Sequence, residues 1–95
     1  MAAIIVSTVR ISDPERFKLY AAKIAGLGER YGGEYIVRGA VEHVLEGASP
    51  IGERIVVVRF PDEAAARAYV NDPAYQEAKA LRMGAAEVEM RLVLA

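Results

Sequence analysis

The stretch Tyr31-Gly32-Gly33-Glu34-Tyr35-Ile36-Val37-Arg38-Gly39-Ala40-Val41-Glu42-His43-Val44-Leu45-Glu46-Gly47 ends a helix, opens a strand and places an arginine inside that strand. Paired glycines supply the positive φ that closes a helix. The run from Glu34 to about Glu46 then carries residues suited to a pleated, partly buried surface. Gly39 lies within it, and a glycine inside a strand marks a bulge or a close backbone approach. Arg38 breaks the apolar pattern, so its charge either meets solvent or lines an enclosed site.

Before this stretch, Ala3 to Arg10 reads as a β-branched strand ended by Ser12-Asp13-Pro14. Asp13 suits an N-cap and Pro14 the first helical position, and Phe17, Ala21, Ile24, Gly28 and Tyr31 recur at helical spacing as one apolar stripe. After the stretch, Gly47 to Gly52 is a turn and Arg54 to Phe60 a third strand. Pro61-Asp62 opens a short helix to Val70, Asn71-Asp72-Pro73 breaks and restarts it to roughly Ala85, and Glu87 to Leu94 is a fourth strand. The order βαββαβ predicts an α+β fold, a ferredoxin-like sandwich with a four-stranded antiparallel sheet, in one domain over residues 1–95. Ile4-Ile5-Val6 and Ile55-Val56-Val57-Val58 put apolar side chains on both sheet faces. A monomer would leave one of those faces as a large exposed apolar patch, so a homodimer is expected.

Composition narrows the partners. The net charge is −1 with both signs dispersed, which gives no basic footprint for nucleic acid or an anionic membrane. The opening Met1-Ala-Ala-Ile-Ile-Val has no basic n-region and is too short to span a bilayer, so it reads as a strand. No cysteine is present, which removes disulfide, thiolate-metal and thiol-nucleophile chemistry and fits a cytoplasmic location. The strand order also occurs in RNA-binding RRM domains, but those carry stacking aromatics where this chain has Ile4 to Val6 and Ile55 to Val58.

Arg38, Arg54 and Arg82, with Tyr35, Tyr69 and Tyr75, are embedded in apolar strands and helix faces. Tyr75 and Arg82 are seven residues apart on one predicted helix and share a face. Guanidinium forks match carboxylates, and phenols donate hydrogen bonds to carbonyl oxygens or oxyanions. These groups therefore either converge on a pocket for a small anionic or carbonyl compound, or pair with Glu34, Glu46, Glu53 or Glu77 as structural contacts. His43 is the only histidine; flanked by Glu42 and Val44, it reads as a surface or interface side chain more readily than as a general base. The carboxylates and His43 show no metal-ligand spacing, no glycine-rich loop opens a helix, and Ser7, Ser12 and Ser49 lack the context of a hydrolase nucleophile. No metal or organic cofactor is expected.

Taken together, Asp13-Pro14 with Phe17 and Tyr20, Gly32-Gly33, Val37-Arg38-Gly39, Leu45-Glu46-Gly47, Phe60-Pro61, Ala68-Tyr69, Asp72-Pro73-Ala74-Tyr75 and Arg82 resemble the domain-of-unknown-function 1330 family of the dimeric α+β barrel superfamily. The resemblance implies a ferredoxin-like protomer whose sheet packs on that of a second copy. It names no activity, because the superfamily includes cofactor-independent monooxygenases, muconolactone-type isomerases, haem enzymes and non-catalytic ligand sensors. Ala40 stands where the family often has a second glycine and Arg59 where it often has a glutamate. His43 matches no family motif, yet it would have to supply any axial haem histidine. The expected function is the binding of a small anionic or carbonyl-containing molecule between helices and sheet, with Arg38, Tyr69, Tyr75 and Arg82 as contacts. The alternatives are a cofactor-independent monooxygenase- or isomerase-like enzyme on a small cyclic or aromatic compound, and a non-catalytic dimeric scaffold. Whether the chain is an enzyme, and on what, is open at this level.

Overall fold

Three aspartates start the longer helices. Asp13 accepts from the Arg16 amide, Asp62 from the Ala65 amide and Asp72 from the Ala74 amide, each satisfying a donor that the helix itself cannot pair. The computed structural model describes residues 1–95. Its elements are β1 (Ala3–Ile11), α1 (Pro14–Ile24), α2 (Leu27–Arg30), β2 (Glu34–Ala40), β3 (Arg54–Phe60), α3 (Glu63–Asn71), α4 (Pro73–Arg82) and β4 (Ala86–Leu94). Asp72 also accepts a hydrogen bond from the Tyr31 hydroxyl, which with the Ala74 amide holds its carboxyl below the usual carboxylate range.

The strands form one antiparallel sheet in the order β2-β3-β1-β4, with the helices over one face. This is the ferredoxin-like arrangement expected from the element order. Ala3, Ile5, Ser7 and Val9 of β1 point to the helices and are buried. Ile5, Val58 and Phe60 meet Leu27, Ala66, Tyr69 and Tyr75 in the core. The alternating residues Ile4, Val6, Ile55 and Val57 point away from the helices and stay partly exposed.

Four local expectations need correction. The apolar stripe from Phe17 to Tyr31 suggested one helix, but Gly26 takes a left-handed φ of 78° and divides it into α1 and α2. Strand β2 ends at Ala40 rather than near Glu46. His43 consequently lies exposed in an irregular segment instead of at a strand position. Gly39 marks neither a bulge nor a close approach: its φ is not positive, and a Cβ there would meet nothing within 4 Å. The β2–β3 register instead shifts between Tyr35 and Val37, so the extra residue is Ile36. The glycine that a close approach requires is Gly33, where a Cβ would lie 2.8 Å from the Gly28 carbonyl oxygen and 2.9 Å from Phe60 Cε1.

Candidate functional site

Helix α1 contributes no buried residue and packs chiefly on α4. An ion pair from Lys23 to Glu77 at 3.0 Å and a hydrogen bond from the Arg16 guanidinium to the Met83 carbonyl oxygen, at 2.8 Å, fasten it there. Held to one side in this way, α1 leaves a cavity of about 410 Å³ between itself and the sheet. Single-ring ligands fit such a volume. Its floor, from the inward positions of β1, β3 and β4, is mostly aliphatic, and Phe17, Tyr20 and Ile24 come from α1.

The bulge at Ile36 decides which way the arginine of β2 points. In a regular strand, Tyr35 and Arg38 would fall on opposite faces. With one extra residue between them, Tyr35 pairs with Val58 and Arg38 with Val56, both on the helix-facing side. Arg38 stacks on Tyr35 with its guanidinium carbon 4.1 Å from the ring centroid. Arg54, opposite Val9 on the same face, brings a second guanidinium to the cavity, and Glu29 brings the one carboxylate in the lining.

Neither Arg38 nor Arg54 takes part in any of the protein's ion pairs. Two carboxylates that sequence made available to them are engaged elsewhere, Glu53 with Arg10 and Glu77 with Lys23. Burial pushes the Tyr69 phenol well above the usual tyrosine value, and the neighbouring phenol of Tyr20 adds to this. Burial does the same to Tyr20, opposed by the positive charge of Arg82. Both are therefore neutral hydroxyl donors at physiological pH.

Of the residues expected at a pocket, Arg38 and Tyr69 line this cavity; Tyr75 and Arg82 stand behind it. Tyr75 is 1% exposed and donates to Met90 Sδ, while Arg82 donates to the Tyr75 hydroxyl at 3.0 Å. The Arg82 guanidinium also lies 4.8 Å from the centroid of Tyr20. Arg82 thus reaches the cavity only through side chains that line it, Tyr20 directly and Met90 by way of Tyr75. His43 is not among the lining residues. Arg54 and Tyr35, among the groups that the sequence offered to a pocket, also line the cavity, whereas Tyr20, Glu29 and Ser7 were not singled out as site residues. The helical spacing from Phe17 to Ile24 gave a signal for an inward face of α1, but an inward face reads equally well as core.

A helix-covered antiparallel sheet with a ligand-sized cavity beneath its first helix defines a ferredoxin-like α+β protein. The chain belongs to the family described as domain of unknown function (DUF1330), whose model matches residues 2–95. No protein of curated function matches the sequence. Among solved structures, a protein of unknown function from Rhodopseudomonas palustris is similar at a TM-score of 0.80 and 22% identity, over 97% of this chain and 80% of that one. A dimeric ferredoxin-like protein of unknown function from Jannaschia gives 0.69 and 16% identity, over 97% and 99% of the two chains. The cofactor-independent oxygenase SnoaB from Streptomyces nogalater gives 0.68 and 16% identity, over 99% and 92%. At these identities the shared property is the fold.

Proposed function

We propose that the protein binds a small organic acid or carbonyl compound in the cavity beneath α1, and that it does so as a homodimer joined through the outer sheet face. The observation that carries the binding reading is a pair of guanidinium groups, Arg38 and Arg54, at an apolar cavity with no carboxylate paired to either. A guanidinium in such a place gains most from an anion that enters with an apolar body. Tyr20 and Tyr69, kept neutral, supply hydroxyl donors to the ligand, and Tyr75 with Arg82 holds Tyr20 and Met90 in position. The same donors would stabilise an enolate, were the protein an enzyme acting on a cyclic carbonyl compound. The dimer reading is supported by the apolar outer positions of β1 and β3 and by the similarity to proteins described as dimeric. No helix is long and apolar enough to cross a membrane. The lack of cysteine supports a reducing compartment such as the cytoplasm.

Calorimetric titration and thermal shift with benzoate, cinnamate and hexanoate, and with benzamide as the uncharged control, test the binding reading. Acids should stabilise the protein more than benzamide does. Arg38→Met should weaken acid binding on the order of 10-fold or more, and Arg38→Lys by less. Equal stabilisation of wild type and Arg38→Met by every compound would remove the arginine from the site.

A further inference from the structure

Ser7 is 7% exposed and lines the cavity floor, yet its hydroxyl makes no hydrogen bond within the protein. Its neighbours on the same face of β1 are Ala3, Ile5 and Val9, so the position belongs to an otherwise aliphatic surface. A hydroxyl taken from water without a new partner is unfavourable. No side-chain polar atom sealed from solvent lacks a partner in this protein, so Ser7 Oγ opens into the cavity rather than into packed core.

The strand register fixes where this hydroxyl stands relative to the arginines. Ser7 pairs with Met90 on one side and with Val56 on the other, and Val56 pairs with Arg38. Arg38, Val56, Ser7 and Met90 therefore form one row across the helix-facing side of the sheet. Two strand spacings, about 10 Å, separate Arg38 from Ser7 along this row. The Arg38 guanidinium lies over the ring of Tyr35 on its own strand, which leaves the span towards Ser7 to a ligand of one ring with a substituent at each end. Phe17, Tyr20, Tyr35 and Tyr69 give the same cavity an aromatic lining.

Building on the cavity reading above, we infer that the ligand is an aromatic acid bearing a second oxygen, hydroxyl or carbonyl, opposite its carboxylate. Arg38 and Arg54 take the carboxylate, and Ser7 is the specificity-determining residue that hydrogen-bonds the far oxygen. Ser7 has no part in covalent chemistry here: its task is to prefer the oxygenated ring over the bare one.

Titrating benzoate and 4-hydroxybenzoate into wild type, Ser7→Ala and Arg38→Met proteins tests this. Wild type should bind 4-hydroxybenzoate roughly 3- to 10-fold more tightly than benzoate, the value of one hydrogen bond. Ser7→Ala should abolish that preference by weakening 4-hydroxybenzoate alone, and Arg38→Met should weaken both acids while keeping it. If wild type binds both acids but shows no preference, or if the preference survives in Ser7→Ala, the role of Ser7 is overturned and the cavity reading stands. If wild type binds neither acid, the cavity reading and this inference fall together.

Discussion

Gly33 and Gly39 lie six residues apart, and their surroundings demand opposite things of a side chain. At Gly33 the Gly28 carbonyl oxygen and the fully buried Phe60 ring occupy the place of a Cβ, and the amide of Gly33 donates to that same carbonyl at 2.9 Å. Neither neighbour can retreat without opening the turn or the core. Gly33→Ala should therefore lower stability on the order of 1 to 3 kcal/mol. Gly39→Ala enters open space with an ordinary backbone and should stay within about 0.5 kcal/mol of wild type. Urea denaturation of both variants checks this, and the reverse ranking would mean that the β2 entry is packed differently. Sequence alone directs attention to Gly39, because it interrupts a strand. The constraint on Gly33 comes from Phe60, which is distant in the chain and brought close only by the fold. Arg82 teaches the same lesson: a buried guanidinium suggests a buried carboxylate, whereas the structure gives it a phenol and the faces of two tyrosine rings.

Elements whose boundaries rest on local chemistry are legible in the sequence. Asp13-Pro14, Asp62 and Asp72-Pro73 start helices because their carboxylates cap free amides within three residues. Strands β1 and β3 follow from runs of β-branched residues. The end of β2 is not legible in the same way, since Val41 to Glu46 continues a strand-like composition after the ladder stops; only Val41 keeps backbone bonds to Gly52 and Glu53. The bulge at Ile36 is also silent in composition, yet it turns Arg38 from the outer face to the cavity. The apolar setting of Tyr69 points inward without reference to the bulge, but that of Tyr75 and Arg82 leads behind the cavity rather than to its lining, and the direction of Arg38 could not be read at all. Deleting Ile36 should restore regular pairing and leave Tyr35 and Arg38 two residues apart, still on one face. We expect acid binding to stay within about 3-fold of wild type, because the facing of Arg38 depends on the register and not on Ile36 itself. A loss of more than about 10-fold, with far-ultraviolet circular dichroism unchanged, would show that the bulge aims the arginine by more than its face.

At the scale of the whole molecule, one face of the sheet is left without cover. The protomer is a slab of 33 × 30 × 16 Å, and its accessible surface of 6010 Å² exceeds the roughly 5,400 Å² expected of a monomer of this mass. Only 15 of 95 residues are buried, so much of the apolar content must find shelter elsewhere. The outer face shows where: Val57 lies between Val6 and Val37 in register, with Ile4, Ile55 and Val93 around them. Arg10, bridging Glu53 and Glu87, forms a charged border. An apolar centre with a polar rim is the anatomy of a stable protein interface. In the proposed homodimer, Val57→Asp would put a carboxylate into the apolar centre of that interface, where removing it from water is costly. It should convert a species of twice the chain mass into a monomer in sedimentation equilibrium at micromolar concentration, with a lower melting temperature. Leu19→Asp, on the exposed side of α1, should leave the mass unchanged and serves as the control. A wild-type protein that sediments as a monomer, or a Val57→Asp variant that remains a dimer, would place the covering of this face elsewhere.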